Sequence, residues 1–205
     1  MKIFRKIFEN ILLILTVFLL IFIPLYPKIP LLDIVNTWVY VRVEDFVVLF
    51  VILFFLSLLV RKKVTLKTPL TAPIMAFWIF GAISTIHGII LLFPTLANIY
   101  PNVAFLSYLR HLEYMSLFFV AYASIRNKKF IYVVVATLAT TLLSVSLYGL
   151  GQKYFSLPAF LTGNEEFAKG IPIHLSDLSR VPSTFAGHYD FAAYLVLVIP
   201  ILISL

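Results

Sequence analysis

From Phe130 to Leu150 the chain carries no charged side chain. As a helix rising 1.5 Å per residue, that run is about long enough to cross the roughly 30 Å hydrocarbon core of a bilayer. Five further apolar segments qualify with it, so the six are Phe8–Tyr26, Val43–Val60, Pro69–Phe93, Phe105–Ile125, Phe130–Leu150 and Phe185–Leu205. The chain is 62% hydrophobic and 12% charged, whereas soluble domains hold about 45–50% apolar and about 25% charged residues. The expected fold is an all-α membrane protein of about six transmembrane helices, read as one helical domain over residues 1–205. The second segment has the shortest uncharged part, Phe46–Val60. It covers about 22 Å, which puts Glu44 and Asp45 at or slightly inside the membrane boundary.

The bases decide orientation. Lys2, Arg5 and Lys6 precede the first span, Arg61, Lys62, Lys63 and Lys67 follow the second, and Arg126, Lys128 and Lys129 follow the fourth. Alternating spans put all of these on one side. The opposite side holds Lys28, Arg42, Lys153, Lys169 and Arg180, diluted by Asp33, Glu44, Asp45, Glu165, Glu166 and Asp177. The positive-inside rule then makes the N-terminus cytoplasmic. The clustering of bases in short loops between apolar runs argues against nucleic-acid binding. Tyr26, Trp38, Tyr40, Tyr100 and Tyr154, near span ends, read as interfacial aromatics. The first apolar run is long for a signal peptide and lacks a small-x-small cleavage site, so it reads as a retained span. The absence of Cys excludes disulfides and thiolate metal sites. The chain ends at Leu205 within an apolar run without a basic stop signal, and the expectation is an N-terminal part of a larger bundle.

Chemistry concentrates in two places. The outer loop 151–184 is the longest and the richest in polar residues, and it leads into Arg180, Ser183, Thr184, His188 and Asp190 at the start of the sixth span. Ser183 or Thr184 suits an N-cap, and a helix N-terminus beside an Arg is a plausible anion site. The blander roles are a snorkelling anchor for Arg180, helix-start stabilisation for Asp190 and packing for His188. The second place is the fourth span, with Arg110, His111 and Glu113. Arg110 lies about 22 Å from the cytoplasmic end of that helix. A guanidinium there costs at least about 2.5–3.5 kcal/mol unless it is paired or wet. Two readings stand: an ion pair, with Glu113 at i+3 as the nearest partner on the same helix, or a cavity-lining cation that meets an anionic ligand. Arg42, beside Glu44 and Asp45, is a weaker candidate whose ordinary role is to solvate a helix end. His87, near Gly81 and Gly88, reads as packing. No metal-ligand spacing, phosphate-cradling glycine loop or nucleophile signature is present.

The elements Arg180-x-x-Ser183-Thr184-Phe185, Ala192-Ala193-Tyr194-Leu195 and Ile199-Pro200 together resemble the O-antigen ligase and O-antigen polymerase-like membrane proteins. Leu109–Tyr114 and Tyr148–Phe155 echo the same family. The chain departs from it at His188-Tyr189-Asp190, where family members often carry an Asn-containing element. The resemblance implies a GT-C-like, multi-pass glycosyltransferase of the bacterial cytoplasmic membrane. Such an enzyme moves a glycan from a polyprenyl diphosphate carrier to a lipid or glycan acceptor on the outer face, in cell-envelope polysaccharide (lipopolysaccharide) synthesis, without metal or cofactor. On this reading Arg180 and Arg110, with Arg42 third, bind the diphosphate, and Glu113, Ser183, Thr184, His188 and Asp190 support them. The catalytic base is expected in a loop beyond Leu205. A transporter or flippase for a lipid-linked sugar or anion explains the buried Arg and Glu equally well, and a non-catalytic membrane scaffold is a third reading.

Overall fold

A computed structural model describes residues 2–28, 30–32, 41–95, 100–160 and 171–204. Trp38, Tyr40, Asp33, Glu165, Glu166 and Lys169 lie outside the described residues. The described chain is mostly helical, with six α-helices among those residues: α1 (Lys2–Leu25), α2 (Val43–Val60), α3 (Thr71–His87), α4 (Pro101–Ser124), α5 (Lys128–Tyr154) and α6 (His188–Ile203). A π turn, Gly88–Leu92, and a 3₁₀ turn, Phe93–Thr95, extend α3. Strands of two or three residues make up the rest of the regular structure: β1 (Pro30–Leu32), β2 (Val41–Arg42), β3 (Ala159–Phe160) and β4 (Pro172–Ile173), with Ala159 opposite Ile173 in the antiparallel β3–β4 pair.

Three stretches are long and apolar enough to cross a membrane: Val43–Val60, Thr71–Leu92 and Lys128–Tyr154. Asn10–Leu25 and His188–Ile203 are shorter apolar helices. The sixth segment is shorter than the sequence suggests because the helix begins at His188 rather than Phe185. Its 16 residues reach about 24 Å. The fifth helix is longer than expected at both ends and carries Gly151, Gln152 and Lys153 as helix, so that the loop expected from residue 151 begins after Tyr154.

The surface of these helices supports a membrane protein. Only 6% of the Thr71–Leu92 window is buried, and Phe77, Phe80, Ile83, Ile86 and Ile90 all face outward. A soluble monomer rarely exposes a contiguous apolar patch beyond a few hundred Å². Three of the hydroxyls within α5 are satisfied internally: those of Thr137, Thr140 and Ser144 donate to the carbonyls of Val133, Ala136 and Thr140, whereas the buried Thr141 hydroxyl has no partner among the described residues. In lipid that back-bonding removes the cost of an unpaired hydroxyl.

The chain divides into two compact units. One contains the start of α1, α2 from Asp45 onward, α3 and α4. In it, the Tyr108 hydroxyl donates to Trp78 O at 2.9 Å, and its ring lies against Gly81, where a Cβ would stand 3.1 Å from Tyr108 Cε2. Trp78 in turn meets Phe119 edge-on at 6.1 Å. The other unit contains α1 from Ile14, Arg42–Glu44, α5, β3, β4 and α6.

Candidate functional site

The segment from Arg180 to Gly187 is non-helical, and α5 holds it in place. Gln152, 1% exposed, accepts from Ser183 N through Oε1 at 2.9 Å and donates from Nε2 to Ser183 O at 2.9 Å and to Pro158 O at 3.0 Å. The Ser183 hydroxyl donates to Val145 O at 2.6 Å. Ser183 sits at φ 55°, a left-handed conformation uncommon outside glycine; its fully paired polar groups hold it there. Gly149 makes the close approach possible, since a Cβ there would stand 3.1 Å from Val181 Cγ1 and 3.6 Å from Ser183 Cβ. Phe185 then packs on Phe191 and Tyr194, with ring centroids 5.6 and 5.2 Å away.

This geometry corrects the expected helix cap. The N-cap of α6 is Gly187, in extended conformation and without a side-chain cap bond. Ser183 and Thr184 are buried and turned inward. The Thr184 hydroxyl donates to Pro24 O in the last turn of α1, where carbonyls lack intrahelical partners. Both residues therefore anchor the segment instead of capping the helix.

Arg180 is exposed at the end of this anchored segment. Its Nη1 donates to His188 Nε2 at 3.1 Å and to the Tyr189 hydroxyl at 3.3 Å, and its guanidinium carbon lies 6.0 Å from the Tyr189 ring centre. A guanidinium only donates, so His188 accepts through Nε2 and carries its proton on Nδ1 as a neutral ring. The Tyr189 face adds a cation–π contact at the outer limit of its range. Arg180 has no carboxylate partner among the described residues. Asp190 occupies the first turn of α6, with Oδ2 folded back to 3.9 Å from where a Cβ on Gly187 would be. A carboxylate over the positive end of a helix is stabilising.

Arg42 and Arg110 are placed differently. Arg42 Nη1 meets Glu44 Oε1 at 3.2 Å, and the other oxygen of Glu44 pairs with Lys28 Nζ. Lys28 also donates to Ile23 O, in the last turn of α1. Side-chain exposure is 7% for Lys28 and 2% for Glu44, so this is a buried ion cluster on a helix C-terminus, where cations are favoured. The sequence marks Lys28 only as one more outer-loop base; its burial depends on the chain returning at Arg42–Glu44.

Arg110 Nη2 meets Asp45 Oδ2 at 3.0 Å, with side-chain exposures of 21% and 17%. This partner comes from the first turn of α2, whereas spacing alone suggests the i+3 neighbour Glu113. An arginine reaches farther than one helical turn, and the first turn of α2 offers both a carboxylate and the positive end of a helix that stabilises it. Glu113 is half-buried on α4. His111 is exposed and donates from Nδ1 to Ser107 O at 2.7 Å. His87 is exposed at the end of α3, so the packing role expected for it does not apply.

Of the sequence candidates, then, Arg180, His188 and Asp190 gather at the start of α6, Ser183 and Thr184 anchor their backbone, Arg42 belongs to the Lys28–Glu44 cluster, and Arg110 belongs to α2 and α4. Gln152 was not singled out by sequence, although a glutamine at the end of an otherwise apolar helix is a detectable signal. No group of three His, Cys, Asp or Glu side chains suited to a metal ion occurs among the described residues. No protein-family model, no curated protein and no solved structure matches this chain.

Proposed function

We propose that this chain is part of an O-antigen ligase-like glycosyltransferase of the bacterial cytoplasmic membrane, a GT-C-like bundle in which α1 to α6 are six alternating spans. The site takes a polyprenyl diphosphate-linked glycan from the outer leaflet. In the reaction the acceptor hydroxyl oxygen bonds to the anomeric carbon of the glycan. The bond from that carbon to the diphosphate oxygen breaks, and its electron pair stays on the diphosphate. The acceptor proton goes to a general base of the enzyme, a role to which no described residue is assigned.

One observation carries the reading. Arg180 is an exposed cation with neutral partners, held by an ordered backbone at the start of an apolar helix. Charge that develops on a leaving diphosphate is stabilised most by a donor already fixed in place. Arginine suits that task because its planar fork stays charged and donates several hydrogen bonds. His188 is not assigned the role of base, because its Nε2 already accepts from Arg180. Arg110 and Arg42 become secondary candidates, since each already meets a carboxylate.

The test is transfer of a lipid-linked glycan by membranes that contain Arg180→Ala or Arg180→Lys at wild-type abundance. Loss of one fixed charge-stabilising donor lowers such rates by about 10²–10³-fold, and Lys, lacking the fork, restores only part. Wild-type transfer by Arg180→Ala removes the diphosphate role from this residue. Counterflow of lipid-linked sugar that persists without any glycan transfer favours the carrier reading.

A further inference from the structure

A groove of about 430 Å³ opens between α3 and α4, within the roughly 300–1,000 Å³ range of small-molecule sites. Ser84 and Thr85 of α3 and Gly88 of the π turn line one wall, and Ser107 and His111 of α4 line the other. Phe77 lines it too, with its ring centre 6.3 Å from that of His111. The stretch Thr71–Leu92 is long and apolar enough to cross a membrane, so in a bilayer the groove lies among lipid chains.

The polar lining is suited to a hydroxyl. His111 Nδ1 donates to Ser107 O at 2.7 Å, so the neutral ring carries its proton there and offers Nε2 as an acceptor. The hydroxyls of Ser84, Thr85 and Ser107 can both donate and accept. A ligand O–H can therefore donate to the imidazole while its oxygen accepts from a serine or threonine. An ionised phosphate has no proton to donate to Nε2. Depth points the same way. Ser84 and Thr85 precede Leu92, the end of the apolar stretch, by eight and seven residues, about 10–12 Å of helix. A charged headgroup drawn that far below the boundary loses its hydration, whereas a hydroxyl needs only its hydrogen bonds.

The backbone leaves room for such a group. Gly88 has φ −58° and ψ −47°, an ordinary helical conformation open to any residue. Among the described residues no heavy atom lies within 4 Å of where its Cβ would stand. Glycine within a helix is destabilising relative to alanine, and here its backbone angles do not call for it. A side chain there would enter the groove. The π turn that starts at Gly88 is itself a distortion frequent at functional sites.

We propose that this groove binds the head of an uncharged membrane lipid that carries a free hydroxyl, with the lipid's chains among those of the bilayer. The site is independent of the glycan-transfer reading.

The test uses the purified full chain in lauryldimethylamine oxide, a detergent without hydroxyls, and measures binding by native mass spectrometry. The probes are dioctanoylglycerol, its methyl ether (in which the hydroxyl is capped), dioctanoyl phosphatidic acid and free glycerol. The variants are Gly88→Leu, which fills the groove, His111→Phe, which removes the acceptor, and Ala76→Leu, which adds bulk at an exposed position of α3 outside the groove. Dioctanoylglycerol is expected to bind the wild type about tenfold more tightly than its methyl ether, roughly the worth of one hydrogen bond. Gly88→Leu weakens dioctanoylglycerol binding by at least about tenfold without lowering the melting temperature. His111→Phe erases the difference between the two glycerides, and Ala76→Leu leaves both within about twofold of wild type. Equal binding of the two glycerides by the wild type, or tighter binding of phosphatidic acid, overturns the proposal. Free glycerol that displaces dioctanoylglycerol makes the ligand a soluble polyol and overturns it as well. Gly88→Ala, a smaller filling that suits a helix, is measured alongside and is expected to show a partial loss; wild-type affinity in it and in Gly88→Leu also overturns the proposal.

Discussion

Gln152 holds Ser183 by both of its backbone polar groups, accepting from the N–H and donating to the C=O, each at 2.9 Å. One side chain on α5 thereby satisfies a buried residue that belongs to neither a helix nor a strand. The position of Arg180, three residues earlier, depends on that grip.

Gln152→Leu should lower the melting temperature of the detergent-solubilised protein. It strands two buried backbone groups, each at about 1–3 kcal/mol. Membrane insertion is unaffected, because the rest of α5 is unchanged. An unaltered melting temperature would show that the bonds contribute nothing net.

Asp45 and Arg110 should behave as a coupled pair. Asp45→Asn and Arg110→Gln each remove one charge of the pair, and the double variant removes both. The coupling in a double-mutant cycle is expected at about 0.5–3 kcal/mol, read from unfolding in detergent. Additive single effects would contradict the pairing. Arg110→Lys separates the roles further: full transfer activity there favours a bare ion pair over a diphosphate contact that needs the fork.

Glu44→Gln should be the most destabilising single change at the C-terminal end of α1. Breaking a buried pair from one side costs about 3–5 kcal/mol, and Glu44 is flanked by both Lys28 and Arg42. Lys28→Met/Glu44→Leu is expected to recover much of the loss. A double variant no more stable than Glu44→Gln would show that the cluster holds the fold by more than charge balance.

The absence of native cysteine makes topology directly readable. Leu178, 97% exposed, changed to Cys should react with a membrane-impermeant maleimide in intact cells. Lys67→Cys should react only after permeabilisation. The reverse pattern inverts the proposed orientation and moves Arg180 away from an outer-leaflet substrate.

The sequence shows where most helices run, because long apolar stretches between charges read the same way in a bilayer as on the page. Helix partners are less legible. Helix α5 is apolar around most of its circumference, so nothing in its periodicity says which face meets the Arg180 segment. The Arg110–Asp45 pair joins residues far apart in sequence, and local spacing points instead to Glu113. Ser183 and Thr184 fit a cap by composition, yet their hydroxyls are taken by the carbonyls of Val145 and Pro24. Lys28 looks like any loop lysine until Glu44 is brought to it. At the start of α6 the local rules succeed: Asp190 sits in the first turn, where the dipole favours it.

The last turns of α5 have a thermodynamic consequence. Val145, Tyr148, Gln152 and Lys153 each bond to the chain that follows, at Ser183, Pro158, both of these, and Asp177 respectively. If Arg180 binds the diphosphate as proposed, the segment 180–187 has already given up its freedom when the protein folds, so the ligand meets little further entropic penalty. Its affinity should then depend weakly on temperature-driven loop melting and strongly on salt, the behaviour of a rigid socket for an ion.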